Sequence, residues 1–252
     1  MKIIFNPKFY QSYTADNAAK PGRMEVIMQV IEKEPSYSIV SNESADEKDI
    51  VAVHESAYID KIKADSNLYE MAALSAGGAI LAAQLGMQGQ PAFACIRPPG
   101  HHAYRSSGWG YCYFCNMAIA LKKLKTEGKI NSAFLLDFDA HTGDGTRDCL
   151  SDWKGIRIFN PMAATRQEYM KLVENTIKET GHVDLIAVSA GFDSYKKDVG
   201  QKLDTFDFYQ MGYLLKKFAN RCGHQRRFAI LEGGYYLPDL GKNVLAFCQG
   251  FE

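Results

Sequence analysis

The chain has 252 residues, with 29 Lys and Arg balanced by 29 Asp and Glu, and its residues are 46% hydrophobic and 12% aromatic. So much apolar surface excludes global disorder, and charge balance gives no basic excess for nucleic acid or anionic membranes. Lys122-Lys123 and Arg226-Arg227 are read as solvated helix and strand edges.

In chain order, short runs rich in apolar and β-branched residues predict strands at Lys2–Phe5, Ile50–Val53, Ala92–Ile96, Ala133–Phe138, Ile156–Phe159, Asp184–Ser189 and Phe228–Leu231. Apolar residues at helical spacing alternate with them: Met24/Ile27/Met28/Ile31, Met117/Ala120/Leu121/Leu124, Tyr169/Leu172/Val173/Ile177 and Phe208/Met211/Leu215/Phe218. Ala76-Gly77-Gly78-Ala79 falls on a helix as well, where it predicts close packing on a sheet and not a phosphate loop. Runs apolar at every position, such as Leu185-Ile186-Ala187-Val188, need cover on both faces, so the fold class is α/β: a three-layer, mostly parallel sheet between helices. With no linker or internal repeat, residues 1–252 are expected to form a single domain.

The apolar stretches around Ala72–Leu85 and Leu185–Ala190 fall short of the roughly 20 residues that cross a bilayer. Met1–Pro7 breaks too early to be the apolar core of a signal peptide. Six scattered cysteines suit reduced thiols, and Cys112 and Cys115, with no second pair of that spacing, are expected to be buried structural thiols. These features together predict a soluble, cytoplasmic protein.

Ligands of open α/β sheets bind beyond the C-terminal strand ends. Four predicted strands run there into polar clusters: Arg97-Pro98-Pro99-Gly100-His101-His102, Asp137-Phe138-Asp139-Ala140-His141, Ala190-Gly191-Phe192-Asp193 and Glu232-Gly233-Gly234-Tyr235. In an extended segment Asp137, Asp139 and His141 project to one side, and converging carboxylates are relieved most simply by a divalent cation. Capping of the following loop by the two aspartates is the alternative. Asp193, after an apolar run, is a costly lone carboxylate and adds a third metal ligand; three protein ligands leave the open position of a catalytic site. His101 and His102, expected to point apart, can each meet a carboxylate, Asp137 and Asp144 being available, which would prepare them for acid–base work.

These blocks, with Gly110-Tyr111-Cys112-Tyr113-Phe114 and Asp137 through Thr146 in the same order, closely resemble the zinc-dependent histone deacetylase and acetylpolyamine amidohydrolase family, and Val53-His54-Glu55-Ser56-Ala57-Tyr58 is similar to a further block. The resemblance implies the arginase-deacetylase fold and one Zn²⁺ held by Asp139, His141 and Asp193. It also implies His101 and His102 as tandem catalytic histidines with Asp137 and Asp144 as partners, Tyr235 as the catalytic tyrosine, and Tyr111, Gly110, Gly233 and Gly234 beside an acetylated amine. The expected reaction removes an acetyl or other acyl group from acetyl-lysine or an acetylpolyamine.

Two departures bear on the substrate. The route through residues 142–192 is short and lacks the loop that carries the second aromatic wall of the tunnel in relatives, so Tyr195, Trp109 or a neighbouring subunit would complete the pocket, and a homodimer is plausible. The monovalent-cation (K⁺) site of relatives loses its match at Ile158, which leaves K⁺ open. A dimanganese ureohydrolase would need a further Asp where Tyr195 stands, and a non-catalytic module binding acetylated ligands would have no use for the histidine pair.

Overall fold

Seven strands form one all-parallel sheet in the computed structural model, which describes residues 1–252. The elements are β1 (Lys2–Ile4), α1 (Arg23–Ile31), β2 (Ser38–Val40), α2 (Glu47–Val51), α3 (Ser56–Lys63), α4 (Ser66–Met87), β3 (Ala92–Ala94), α5 (Asn116–Thr126), β4 (Ala133–Asp137), α6 (Asp144–Cys149), β5 (Ile156–Phe159), α7 (Arg166–Glu179), β6 (Leu185–Ala190), α8 (Thr205–Arg221), β7 (Arg227–Leu231) and α9 (Leu237–Phe251). Their order across the sheet is β2-β1-β3-β7-β6-β4-β5.

Handedness then decides which face each helix covers. Right-handed crossovers put α1, α7 and α8 on one face, where the chain steps toward β2, and α2 to α6 on the other, where it steps toward β5. The contacts agree: α4 packs on β1, β3 and β7 with α5 beside it, while α9 joins α1 to α8 and α8 lies on β6. The expected three layers are therefore present. Every residue of β3, β4, β6 and β7 is buried, as covered central strands require.

Helix α4 is long and apolar enough to pass for a membrane span, but most of it is buried in the core. Its small residues allow this. A Cβ on Gly77 would stand 2.0 Å from the Glu43 carbonyl oxygen, and one on Gly78 would stand 2.6 Å from Ile96 Cγ2. The Gly77-Gly78 pair is thus where the helix closes on the strand ends.

Two local expectations need correction, and the sequence reading names neither β2 nor the helices α3, α6 and α9. Ile50–Val53 is no strand: α2 begins with Glu47 and Asp49 in its first turn, and it buries Ile50 while Val51 faces outward. Acidic residues near a helix N-terminus favour the helix over the β preference of three following β-branched residues. The edge strand β2, three residues long, carries no periodicity to reveal it. Arg227, expected at a solvated edge, is buried in β7, and its Nε donates to the Phe251 carbonyl at the end of α9 (2.7 Å). Arginine can do this where an apolar residue cannot, because its fork satisfies helix-end carbonyls. The Lys122-Lys123 pair lies on α5 with ion pairs to Asp152 and Asp49.

Candidate active site

The C-terminal ends of β3, β7, β6 and β4 are adjacent in the sheet, and the four polar clusters meet above them. After β3 the chain turns through Pro98-Pro99-Gly100, held by Ser75 Oγ and Asn116 Nδ2, both donating to the Pro98 carbonyl (2.8 and 3.0 Å). Glu232, just past β7, clamps the other side of this turn: its Oε2 accepts the backbone N–H of Gly100 (2.7 Å) and of His101 (3.2 Å), while Oε1 accepts Ser189 Oγ (3.1 Å). Burial pushes the Glu232 carboxyl up to about 7.

The two histidines face each other, contrary to the expectation that they point apart. Their ring centroids are 4.0 Å apart because residues 101 and 102 lie in a turn, where side-chain alternation does not apply. Each nevertheless has its own carboxylate. His101 Nδ1 is 3.1 Å from Asp137 Oδ2, and His102 Nδ1 is 2.7 Å from Asp144 Oδ1. Burial opposes charge on both rings. At His101 the Asp139 and Asp137 carboxylates outweigh it and hold the pKa well above the usual imidazole range; at His102 burial and the His101 charge keep the pKa below it. Neighbouring groups with separated pKa values are what an acid–base pair needs.

Beyond β4 the chain bends, so Asp137 turns to His101 while Asp139 and His141 meet Asp193 from the short turn after β6. His141 Nδ1 is 3.0 Å from Asp139 Oδ1 and 3.1 Å from Asp193 Oδ2. Backbone donors fix the carboxylates: Asp139 accepts the N–H groups of His141 and Gly233 (3.0 Å each), and Asp193 Oδ1 accepts that of Ala140 (2.9 Å). A Cβ on Gly233 would stand 2.7 Å from Asp139 Oδ2, so glycine is required at that approach. Burial, reinforced by the Asp139 charge, pushes the Asp193 carboxyl up to about 7, and the two carboxylates raise His141 to about 10.

These three residues fit a divalent cation. Their ligand atoms all lie within 4.8 Å of one another, and Asp193 Oδ2 is buried without a hydrogen-bond partner. An oxygen–nitrogen–oxygen set with two anionic members suits zinc.

A cavity of about 260 Å³ opens over the cluster, lined by His101, His102, Asp139, His141, Gly233 and Tyr235 at its base and by Trp109, Gly110, Tyr111 and Val199 around them. Gly234 does not line it; its carbonyl accepts Arg23 Nε (2.9 Å). Tyr195 is also outside, buried with its hydroxyl on Asp239 Oδ2 (2.9 Å), so among the side chains considered for the second wall only Trp109 reaches the cavity. Beside β4, the Asp137 carbonyl accepts Asn160 Nδ2 (3.2 Å) and the Phe138 carbonyl accepts Ser194 Oγ (2.8 Å). All six cysteines are free thiols. Cys112 and Cys115 bond separate partners, the Gly110 carbonyl and Thr146 Oγ1.

Two supporting roles emerge only from the structure. Asp198 Oδ2 accepts the backbone N–H groups of Tyr235 and Tyr236 (2.6 and 2.7 Å), tying down the loop that carries the tyrosine. His54 sits between the Tyr104 carbonyl and the Cys115 N–H (2.9 Å each). For Asp198 the sequence carries no signal, since its partners are backbone groups 37 and 38 residues away.

Residues 17–161 and 156–251 match the model of the histone deacetylase domain. A "probable deacetylase" of Methanothermobacter thermautotrophicus is 27% identical, covering 100% of this chain and 91% of that protein. A histone deacetylase-like amidohydrolase of Pseudomonas aeruginosa is 25% identical over 94% of this chain and 77% of its own. Among solved structures, the HD domain of HDA15 superposes with a TM-score of 0.85 at 18% identity, covering 100% of this chain and 90% of that one. That similarity establishes the fold.

Proposed function

The chain belongs to the histone deacetylase domain family, and from that premise we propose that it is a zinc-dependent amidohydrolase that removes acetyl or related acyl groups from amines such as acetyl-lysine or acetylpolyamines. The observation that carries this reading is that His102, hydrogen-bonded to Asp144, lines one cavity with Asp139, His141 and Tyr235.

Zinc held by Asp139, His141 and Asp193 would polarise the amide carbonyl and acidify water at the open position. The protein's own groups do the rest. A carboxylate only accepts, so Asp144 keeps the His102 proton on Nδ1 and leaves Nε2 bare to take a proton from water. His101, hydrogen-bonded to Asp137, assists beside His102, and the proton that His102 takes is returned to the departing amine. Tyr235, whose phenol is kept protonated by burial, donates to the oxygen that gains charge.

The reading is tested by acetate release from acetyl-lysine peptides, acetylated polyamines and small N-acetyl amines by zinc-loaded protein. Tyr235→Phe should lower turnover by about 10²–10³-fold while zinc content stays the same, the usual cost of losing one such donor. Equal turnover in the variant would remove Tyr235 from the mechanism; no release by the wild type from any substrate would favour an acetyl-ligand binding module.

A further inference from the structure

Trp109 makes contacts that none of the motifs accounts for. Its indole lies on the His102 imidazole with centroids 3.7 Å apart and planes tilted by 29°. The His101 ring centroid is 4.0 Å from that of His102, with the planes tilted by 42°, so His102 touches two rings at once and is stacked on the indole alone. The indole Nε1 also donates to Asp144 Oδ2 (3.2 Å), the oxygen that His102 does not use. One side chain therefore brackets both members of the His102–Asp144 pair, bonding the carboxylate and covering the imidazole.

The same indole is 51% exposed and lines the cavity together with Tyr111. A large aromatic left half bare at the mouth of a cavity is apolar surface that a ligand can cover. Neither side chain is charged, and Pro99 and Val199 continue the apolar lining. Such surfaces suit the methylene stem of an amine, with the polar amide reaching the base.

We propose that Trp109 is both a positioning residue for His102 and a specificity-determining wall, selecting acylated amines with a linear methylene stem; this rests on the deacetylase reading above. The two roles separate kinetically. Losing the bracket loosens His102 for every substrate and lowers kcat, whereas losing the wall raises KM only for substrates with a stem long enough to touch it.

The test uses zinc-loaded enzyme, with N-butylacetamide as the long-stem substrate and N-methylacetamide as the short one, in wild type, Trp109→Phe and Trp109→Leu. For Trp109→Leu we expect kcat to fall by about 10-fold or more on both and KM to rise several-fold for the long stem alone. Trp109→Phe keeps a ring but loses the N–H, so it should retain the long-stem KM while kcat falls part of the way. Kinetics of Trp109→Leu indistinguishable from wild type overturn the proposal.

The second readout does not depend on turnover. The chain has 2 Trp, so Trp153→Phe leaves Trp109 as the sole indole, and its emission should shift saturably on addition of N-butylacetamide. An unmoved emission at saturating substrate overturns the wall, whether or not Trp109→Leu folds. If the wild type hydrolyses no acylated amine, the deacetylase reading fails, and the emission titration alone then upholds or overturns the wall.

Discussion

At the scale of the residue, the site is a set of carboxylates whose oxygens are assigned one by one. Asp144 gives one oxygen to His102 and Gly145 N–H and the other to Trp109; Asp193 gives Oδ1 to Ala140 and keeps Oδ2 free of hydrogen bonds beside His141. Asp198 does no chemistry in this account yet controls it, because both N–H groups it accepts belong to the segment that aims Tyr235. Asp198→Ala should lower kcat by about 10²-fold, the cost of misplacing a reacting group by about 1 Å, with the long-stem KM little changed. Steady-state kinetics beside a thermal melt separate this from general unfolding: an unchanged kcat in a folded variant removes the tether from the account. The ligand and acid–base candidates were legible because uncommon residue types follow apolar runs. Asp198 was not, because nothing in an Asp between Lys197 and Val199 announces a backbone partner in a distant loop.

At the scale of the element, most strands and the helices α1, α5, α7 and α8 were readable from their apolar period. The α7 and α8 spacings became helices of 14 and 17 residues, each opened by a capping box, Thr165 with Glu168 and Asp204 with Asp207. In short segments such as α2 and β2 a few residues carry too little period to outweigh their neighbours, and the sequence reading also passes over α3, α6 and the 15-residue α9. His54, in the turn after α2, shows what such a segment does: it fastens the turn to the stretch that leads from the tandem histidines into α5. Burial lowers its pKa to about 4, so the folded protein holds neutral His54 while the unfolded chain titrates near 6.5. Between those values the unfolded state binds more protons, so this contribution is complete above about pH 6.5 and is lost as pH falls toward 4, by about 3 kcal/mol in all. Urea unfolding of wild type and His54→Gln at pH 7.5 and 4.5 checks it. The variant's deficit should shrink at the acid pH, and a deficit that is constant or grows contradicts a buried neutral imidazole.

At the scale of the whole molecule, the sheet order places β3, β7, β6 and β4 side by side, and this is what turns four separate sequence blocks into one cavity. The parallel, doubly covered sheet followed from fully apolar runs; the order of its strands did not, because no single run states its neighbour. The shortened segment 142–192 likewise could be read as missing a wall, but only the structure distinguishes Tyr195, turned inward to Asp239, from Trp109, stacked on His102. Fold and cavity together make the carboxylate–imidazole cluster the centre of the account.

The most direct test of that centre is acetate release after chelation and zinc add-back, in wild type and in Asp193→Asn, with zinc content measured on the same samples. Chelation should silence the wild type, zinc should restore it, and Asp193→Asn should neither retain zinc nor recover. Turnover that survives complete removal of metal, or a variant that zinc restores to the wild-type rate, would contradict the account.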